Sequence, residues 1–332
     1  MATSSGTRPA SHALDRCGAR ATRFLLVTSD GVRTTVIVIT WRGRAHIDAC
    51  LDALAAQTRP HRTLVVDNAS DDGTAELLVA HPGVGVLRLP RNRGYAGGLA
   101  AALPHVTTPF VAWLNDDAAP APDWLEVAEG NLARNPNAAA ATSVLRTPDG
   151  DVQSTGVRLT VDGHGADATG NGAVFGFCGG AALLRTDVLR EVGGVPAEFF
   201  CYYEDTDTAW RLRLAGFDVV RTEATATHLH GASTRPGSAL FHRWNERNRV
   251  ITLLRCAPAG VAVRELARFA ALTALLPWRD LPDRPPNLRA VLRLRVLVEV
   301  AFRLPAALRA RRLVRRAATV PRRAVWEAWA GR

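Results

Sequence analysis

The run Thr34-Thr-Val-Ile-Val-Ile-Thr40 constrains the fold more than any other stretch of the chain. All seven residues are β-branched, stiff at χ1 and poorly suited to a helix, and the apolar four follow one another without polar alternation. Such a run predicts a strand buried on both faces of a parallel sheet, with helices above and below it. The following sequence supplies them. Ile47, Cys50, Leu51 and Leu54 recur at helical spacing, and Thr63-Leu-Val-Val66 is a second buried strand. Asp71-Asp72-Gly73-Thr74 caps a helix carrying Leu77 and Leu78, Val84–Leu89 is a third strand, and Phe110-Val-Ala-Trp-Leu114 a fourth. Strands and helices alternating with short links predict an α/β, doubly wound sheet.

Ligands bind beyond the carboxyl ends of the strands in such sheets. Here the second strand stops at Asp67 and the fourth at Asn115-Asp116-Asp117. The dinucleotide fingerprint Gly-x-Gly-x-x-Gly is absent after the first strand, where Trp41-Arg42-Gly43-Arg44 stands, so redox use of the sheet is disfavoured. Gly94-Tyr-Ala-Gly97-Gly98 follows the third strand and is by itself a weak nucleotide signal. Adjacent acids repel and raise each other's pKa values unless a cation relieves them. Hard ions such as Mg²⁺ and Mn²⁺ take carboxylate and diphosphate oxygens together, so Asp116-Asp117 reads as a metal and nucleotide site. The alternative is a solvated loop ahead of Ala118-Ala-Pro120.

A second acid cluster, Glu204-Asp205-Thr-Asp207, follows the aromatic run Phe199-Phe-Cys-Tyr-Tyr203 and opens a helix through Trp210-Arg-Leu-Arg-Leu214 that ends at Gly216. The helix dipole alone favours acids there, but an apolar wall also raises a carboxylate's pKa toward the range of a general base. Thr227-His228-Leu-His230 closes a later strand with two imidazoles, neither singled out as a metal ligand by spacing alone.

Composition removes several function classes. The 41 basic side chains are all arginine, which excludes a Schiff-base or phosphate-loop lysine. The net charge of +10 is not spread evenly: residues 256–332 hold 16 Arg and 5 acids, a surplus of 11, while residues 1–255 hold 25 Arg and 26 acids. Five scattered cysteines without a Cys-x-x-Cys pair argue against a disulfide framework or zinc ribbon and fit a reducing, cytoplasmic setting. Residues 1–33 read as a disordered leader without the apolar core of a secretory signal. A membrane-spanning run of roughly 18 or more apolar residues is not found. The tail mixes Leu, Val and Arg at helical spacing over 288–302 and 306–316, with Trp326 and Trp329 near its end. Basic amphipathic helices of this kind suit either an anionic membrane surface or packing onto the body with the arginines in water.

Taken together, Thr40, Val66-Asp67-Asn-Ala-Ser70-Asp-Asp-Gly-Thr74, Arg91-Asn-Arg-Gly-Tyr-Ala-Gly-Gly98, Leu114-Asn-Asp-Asp117, Gly193–Phe200, Tyr203-Glu-Asp-Thr-Asp207, His228 and Arg247-Asn248 resemble, in that order, the family 2 glycosyltransferases. The likeness is to the bacterial rhamnosyltransferase and galactofuranosyltransferase branch and covers roughly residues 34–250. It implies a GT-A fold, a Rossmann-like mixed sheet, over residues 34–255. Its nucleotide-sugar half would be 34–118 and its acceptor half 119–255, followed by an Arg-rich helical extension over 256–332. The implied activity is inverting transfer, dependent on Mn²⁺ or Mg²⁺, from a nucleotide diphosphate sugar (rhamnose first) to a glycan or polyprenyl-linked hydroxyl. Carried over by position, Thr40, Asp67, Asn92, Gly94, Asn115 and Asp116 would bind the donor. Asp117 and His228 would hold the metal, and Asp205 with Glu204 would be the catalytic base. Gly179, Gly180, Arg247 and Asn248 would lie near the diphosphate or acceptor. Trp41-Arg42 departs from the Tyr-Asn of many members. Location would be cytoplasmic, peripheral on the inner face of the plasma membrane. A silent scaffold of the same fold is the alternative, as is a nucleic-acid binder using the basic tail, although the neutral body and the lack of a nucleic-acid module leave no specific nucleic acid expected.

Overall fold

The computed structural model describes residues 31–229, 237–278 and 285–331. The expected leader lies outside them except for residues 31–33, and so does His230. The first half follows the alternation read from the sequence: β1 (Thr34–Thr40), α1 (Ile47–Ala55), β2 (His61–Asp67), α2 (Thr74–Val79), β3 (Val84–Arg88), α3 (Gly94–Ala102) and β4 (Phe110–Asn115). β1 is central, parallel to both β2 and β4, and its last residue, Thr40, stands opposite Asp67. All seven residues of β1 are buried, as its composition requires.

The second half comprises β5 (Ala118–Pro120), α4 (Trp124–Arg134), β6 (Ala138–Arg146), β7 (Val152–Ser154), β8 (Gly156–Leu159) and β9 (Gly165–Ala168). It continues with β10 (Ala181–Arg185), α5 (Thr186–Glu191), α6 (Glu204–Leu214) and β11 (Asp218–His228). The sheet runs β3-β2-β1-β4-β10-β6-β11-β5, with β7 on β6 and a separate β8–β9 hairpin. β10 is antiparallel to both β4 and β6, which makes the sheet mixed. β6 is built on Ala138-Ala-Ala-Ala-Thr-Ser and carries little strand propensity, yet eight of its nine residues are buried. Small side chains let the flanking layers approach there. Apolar residues of β1 and β4 alternate between the two faces: Val36, Val38 and Leu114 pack with Ile47, Leu78 and Trp124, whereas Ile37 and Trp113 pack with Leu99, Leu189 and Trp210.

Among the described residues four α-helices follow: α7 (Ala239–Cys256), α8 (Ala259–Leu275), α9 (Ala290–Ala317) and α10 (Arg322–Trp329). The expected boundary at residue 255 falls at the end of α7. α9 packs along α7 and buries Val296, Val300 and Val314. α10 returns to the body, where Trp326 stacks on Trp210 with centroids 6.0 Å apart and Trp329 meets Phe175 at 6.2 Å. The Arg213 guanidinium lies 4.3 Å from the Trp329 ring centre. The tail is therefore fastened to the body by one side of its helices. Trp326→Ala is expected to cost about 2 kcal/mol, the low end for emptying a half-buried aromatic site, whereas exposed Phe302→Ala changes stability by less than about 0.5 kcal/mol. Urea denaturation of the two variants checks the contrast.

Candidate active site

The site lies beyond the carboxyl ends of β1, β2 and β4, where the acids were expected. β4 ends at Asn115, and β5 starts two residues after Asp116 and pairs antiparallel with β11, placing Ala118 opposite His228. This register brings His228 beside Asp117: its Nε2 is 3.1 Å from Asp117 Oδ1, with both side chains nearly buried. The far ring nitrogen, Nδ1, meets Gln153 Oε1 at 3.0 Å, which fixes the ring's orientation. Burial opposes the charge of Asp117, but the hydrogen bond and charge of His228 prevail and hold its carboxyl below the usual range. Asp116 has its own imidazole, His46 Nε2 at 3.3 Å. The contact with the Asp116 carboxylate raises the His46 pKa against the cost of burial. His46 carried no signal in the sequence, because it sits at the end of an irregular loop 70 residues from its partner.

Thr40 is fully buried, and its hydroxyl has no partner within the described residues. A Cβ on Gly43 would fall 2.2 Å from that oxygen and 2.6 Å from Asp116 Oδ2, so only glycine lets the loop after β1 cross there. Arg42 is clasped to Asp71 at 2.6 Å, and the backbone N–H of Arg44 donates to Asp72, which ties this loop to the turn after β2. Asp67 is also fully buried. Ser70 N donates to one of its oxygens and Arg88 Nη1 to the other, each at 2.8 Å, so the carboxylate expected to read a base edge is already paired. The guanidinium of Arg88, half exposed, is the part of that pair that reaches the surface. Asn92 accepts from Gly94 N, and Asn68, buried and not singled out in the sequence, bridges Gly94 O and Arg93 N.

The second acid pair starts α6. Phe200, Tyr202 and Tyr203 all have φ near +70°, a left-handed conformation that bulky residues adopt only when their surroundings hold them there. Asn248 supplies the hold: its buried amide lies 2.8–3.0 Å from the carbonyls of Phe199, Cys201 and Tyr202. Arg247 donates to Phe199 O at 2.6 Å. These two residues were expected at the diphosphate or acceptor. They are instead buried behind the 199–203 loop, because α7 packs under it. Gly94 closes the other side, since a Cβ there would lie 2.2 Å from Phe200 O.

Gly179 and Gly180 join the two halves. Gly179 N donates to Asp205 Oδ2 at 3.1 Å, its carbonyl accepts from Tyr95 Oη at 2.6 Å, and Gly180 O accepts from Asn115 N. Asp205 thus sits one peptide from the strand end that carries the Asp116-Asp117 pair. Burial, then the charge of Asp205, pushes Glu204 up to about 8, and Glu204 Oε2 has no hydrogen-bond partner among the described residues. Burial raises Asp205 as well, while the N–H groups of Gly179 and Thr206 restrain the rise. Asp117 and His228 have the hard oxygen and imidazole nitrogen that suit Mn²⁺ or Mg²⁺. Their 3.1 Å separation is close to the roughly 3.0 Å between neighbouring ligands on an octahedral ion with bonds of about 2.1 Å. No group of three His, Cys, Asp or Glu side chains converges among the described residues, so the remaining positions would fall to diphosphate or water oxygens.

A model of the glycosyl transferase family 2 matches residues 35–193, from β1 through the helix after β10. Residues 35–193 are a family 2 glycosyltransferase domain. Among curated proteins, the chain is 29% identical over 261 residues to a pre-mycofactocin glycosyltransferase of Mycobacterium tuberculosis, covering 74% of this chain and 52% of that one. It is 25% identical over 247 residues to an N-acetylglucosaminyl-diphospho-decaprenol L-rhamnosyltransferase of the same organism, covering 62% and 79%. The chain spans about half the length of the first of these relatives. Among solved structures, GalNAc-T7 with UDP, GalNAc and Mn²⁺ superposes with a TM-score of 0.59 at 10% identity over 83% of this chain and 57% of that one. At that identity the likeness is one of fold. The glycosyltransferase domain thus has the GT-A architecture, with a helical region after it.

The raised pair sets a pH dependence for any chemistry using Asp205 as a base. Ionisation is required, so the acid limb of kcat/KM is expected above the ordinary carboxylate range, and Glu204→Gln shifts it to lower pH by removing the competing charge. Both folded-state values are raised, so the pair's contribution to stability is greatest below about pH 4.5 and declines as pH climbs toward 8. An acid limb that Glu204→Gln leaves in place separates Glu204 from the base.

Proposed function

We propose that the chain is an inverting, divalent-metal-dependent glycosyltransferase that moves a sugar, rhamnose first, from a nucleotide diphosphate donor to a hydroxyl of a glycan or polyprenyl-linked acceptor. The observation that carries it is the junction at Gly179-Gly180, which sets a half-buried carboxylate of raised pKa beside the strand end bearing Asp116 and Asp117. In this reading Asp205 takes the acceptor hydroxyl's proton while that oxygen attacks the anomeric carbon opposite the diphosphate. One bond forms as the other breaks, and the centre inverts. Asp117 and His228 would hold Mn²⁺ or Mg²⁺, which when bound supplies positive charge to the departing diphosphate. Thr40, Asp116 and His46 line the donor's ribose side, Asn92 and Gly94 lie by the sugar, and Arg88 presents the Asp67 pair to the nucleobase. Arg247 and Asn248 act as positioning residues for the loop that presents Asp205.

The identity to the decaprenol-linked rhamnosyltransferase supports the choice of sugar and of a lipid-linked acceptor. The surplus of 11 positive charges on residues 256–332 supports a peripheral place on the cytoplasmic face of an anionic membrane.

A thermal-shift screen of UDP-, GDP- and thymidine diphosphate-linked sugars, with and without Mn²⁺, is expected to show one donor stabilising the protein only with metal. Asp117→Asn removes the metal-dependent part. Asp205→Asn keeps donor binding and lowers turnover about 10²–10⁴-fold, the usual worth of a general base. Stabilisation by none of the donors sinks the proposal. Asn248→Ala is expected to lower kcat with donor KM unchanged and to cost about 2 kcal/mol of stability, since it strands buried carbonyls. A selective rise in donor KM would return Asn248 to the diphosphate.

A further inference from the structure

α9 has two apolar sides, and only one of them is covered by the described residues. Val296, Val300, Ala307 and Val314 are buried toward α7. On the opposite side Val291, Leu294, Val298 and Phe302 form a row at spacings of three and four residues, with 82, 57, 46 and 82% of their surface exposed. A helix resting on a globular body ordinarily shows water a polar outer face, and a contiguous apolar row there marks an interaction site. The same angular face continues at steps of seven, three and four residues into Arg309, Arg312 and Arg316, all exposed. Glu299 is the sole acid of α9, and it is turned inward and engaged by Arg243, Arg247 and Arg295. The outer face therefore presents apolar side chains and cations with no anion among them.

We propose that this outer face of α9 seats the protein in the interface of an anionic lipid bilayer, with the row from Val291 to Phe302 in the acyl boundary and the three arginines on lipid phosphates. Each half of the face needs a different part of one partner. A nucleic acid would satisfy the arginines and leave Phe302 and Val291 against phosphate and water. A bilayer of anionic lipid satisfies both, and arginine stems reach along the apolar layer while their heads stay with the phosphates. The helix lies on the surface rather than crossing it: no described helix is long and apolar enough to span, and Arg293, Arg295 and Arg303 interrupt this one.

The inner side of α9 connects this contact to the chemistry, a step that rests on the reading of Asp205 as the base. Glu299 lies 3.2 Å from Arg247, which donates to Phe199 O, the carbonyl that opens the 199–203 loop. The outer face of α9 is thus linked to the loop before Glu204-Asp205 through α9 itself and the buried Arg247 of α7.

The test is sedimentation of the full chain with vesicles of phosphatidylcholine alone or mixed with phosphatidylglycerol. Binding is expected only to the mixed vesicles and to weaken with salt. A Leu294→Asp/Phe302→Asp variant should bind at least tenfold more weakly with unchanged thermal melting, because both side chains are exposed. Replacing Arg309, Arg312 and Arg316 with Gln should lower binding roughly 100-fold, at about fivefold per cation near an anionic leaflet. Absence of binding by the parent chain, or binding that the apolar variant leaves intact, overturns the proposal. Duplex DNA binding as tight as vesicle binding, and equally indifferent to Phe302→Asp, would make the face a polyanion contact instead. Donor stabilisation measured without vesicles reads the enzyme proposal separately, so either can fail alone.

Discussion

The hold of Asn248 on the carbonyls of Phe199, Cys201 and Tyr202 is the interaction on which the functional half of this molecule depends. A loop with three aromatic residues at positive φ is unfavourable by itself, at a cost of order 1–3 kcal/mol per residue, and persists only where hydrogen bonds over-determine it. α7 delivers that hold from one buried amide and one buried guanidinium. In return the loop turns Glu204 and Asp205 into the site, places Phe200 O against Gly94, and accepts the N–H of Ala96, so the donor-side helix and the acid pair are built on one strained segment.

The two acid pairs are treated in opposite ways, and the difference divides their work. Asp116 and Asp117 each face an imidazole, which keeps negative charge affordable at a buried strand end and leaves Asp117 readily ionised. Among the described residues, Glu204 and Asp205 have no cation paired with them. Their partners are backbone N–H groups and a hydroxyl, so burial prevails and the pair retains a proton toward neutral pH. Charge stabilisation belongs to the first pair and proton transfer to the second. Gly179-Gly180 couples them through its backbone, Gly179 N donating to Asp205 and Gly180 O accepting from Asn115 N.

A chain without lysine meets this design without strain. Its buried cations are arginines whose planar forks satisfy several acceptors at once: Arg211 serves Asp207 and the carbonyls of Val192 and Gly194, and Arg213 serves those of Val174 and Phe175. The tail's arginines divide in the same manner. Some are structural, such as Arg311 on the carbonyls of Leu254 and Ala257, while those on the outer side of α9 face outward.

What the sequence determined alone was whatever short-range pattern encodes. β1 was legible because seven β-branched residues admit one conformation, and Asp67, Asp117 and Asp205 because strand ends and a helix start were readable around them. β6 was not, since an alanine run becomes a strand only when β10 and β11 lie on either side of it. His46 and Arg88 were invisible for a related reason: their partners are 70 and 21 residues distant, and nothing local marks the contact. Arg247 and Asn248 were found without their depth, because motif order carries none. Tertiary structure decided which polar residues face the site and which brace it from behind, and which side of each tail helix is covered. Those outcomes follow from packing between elements far apart in the chain, whereas residue order carries only local conformation.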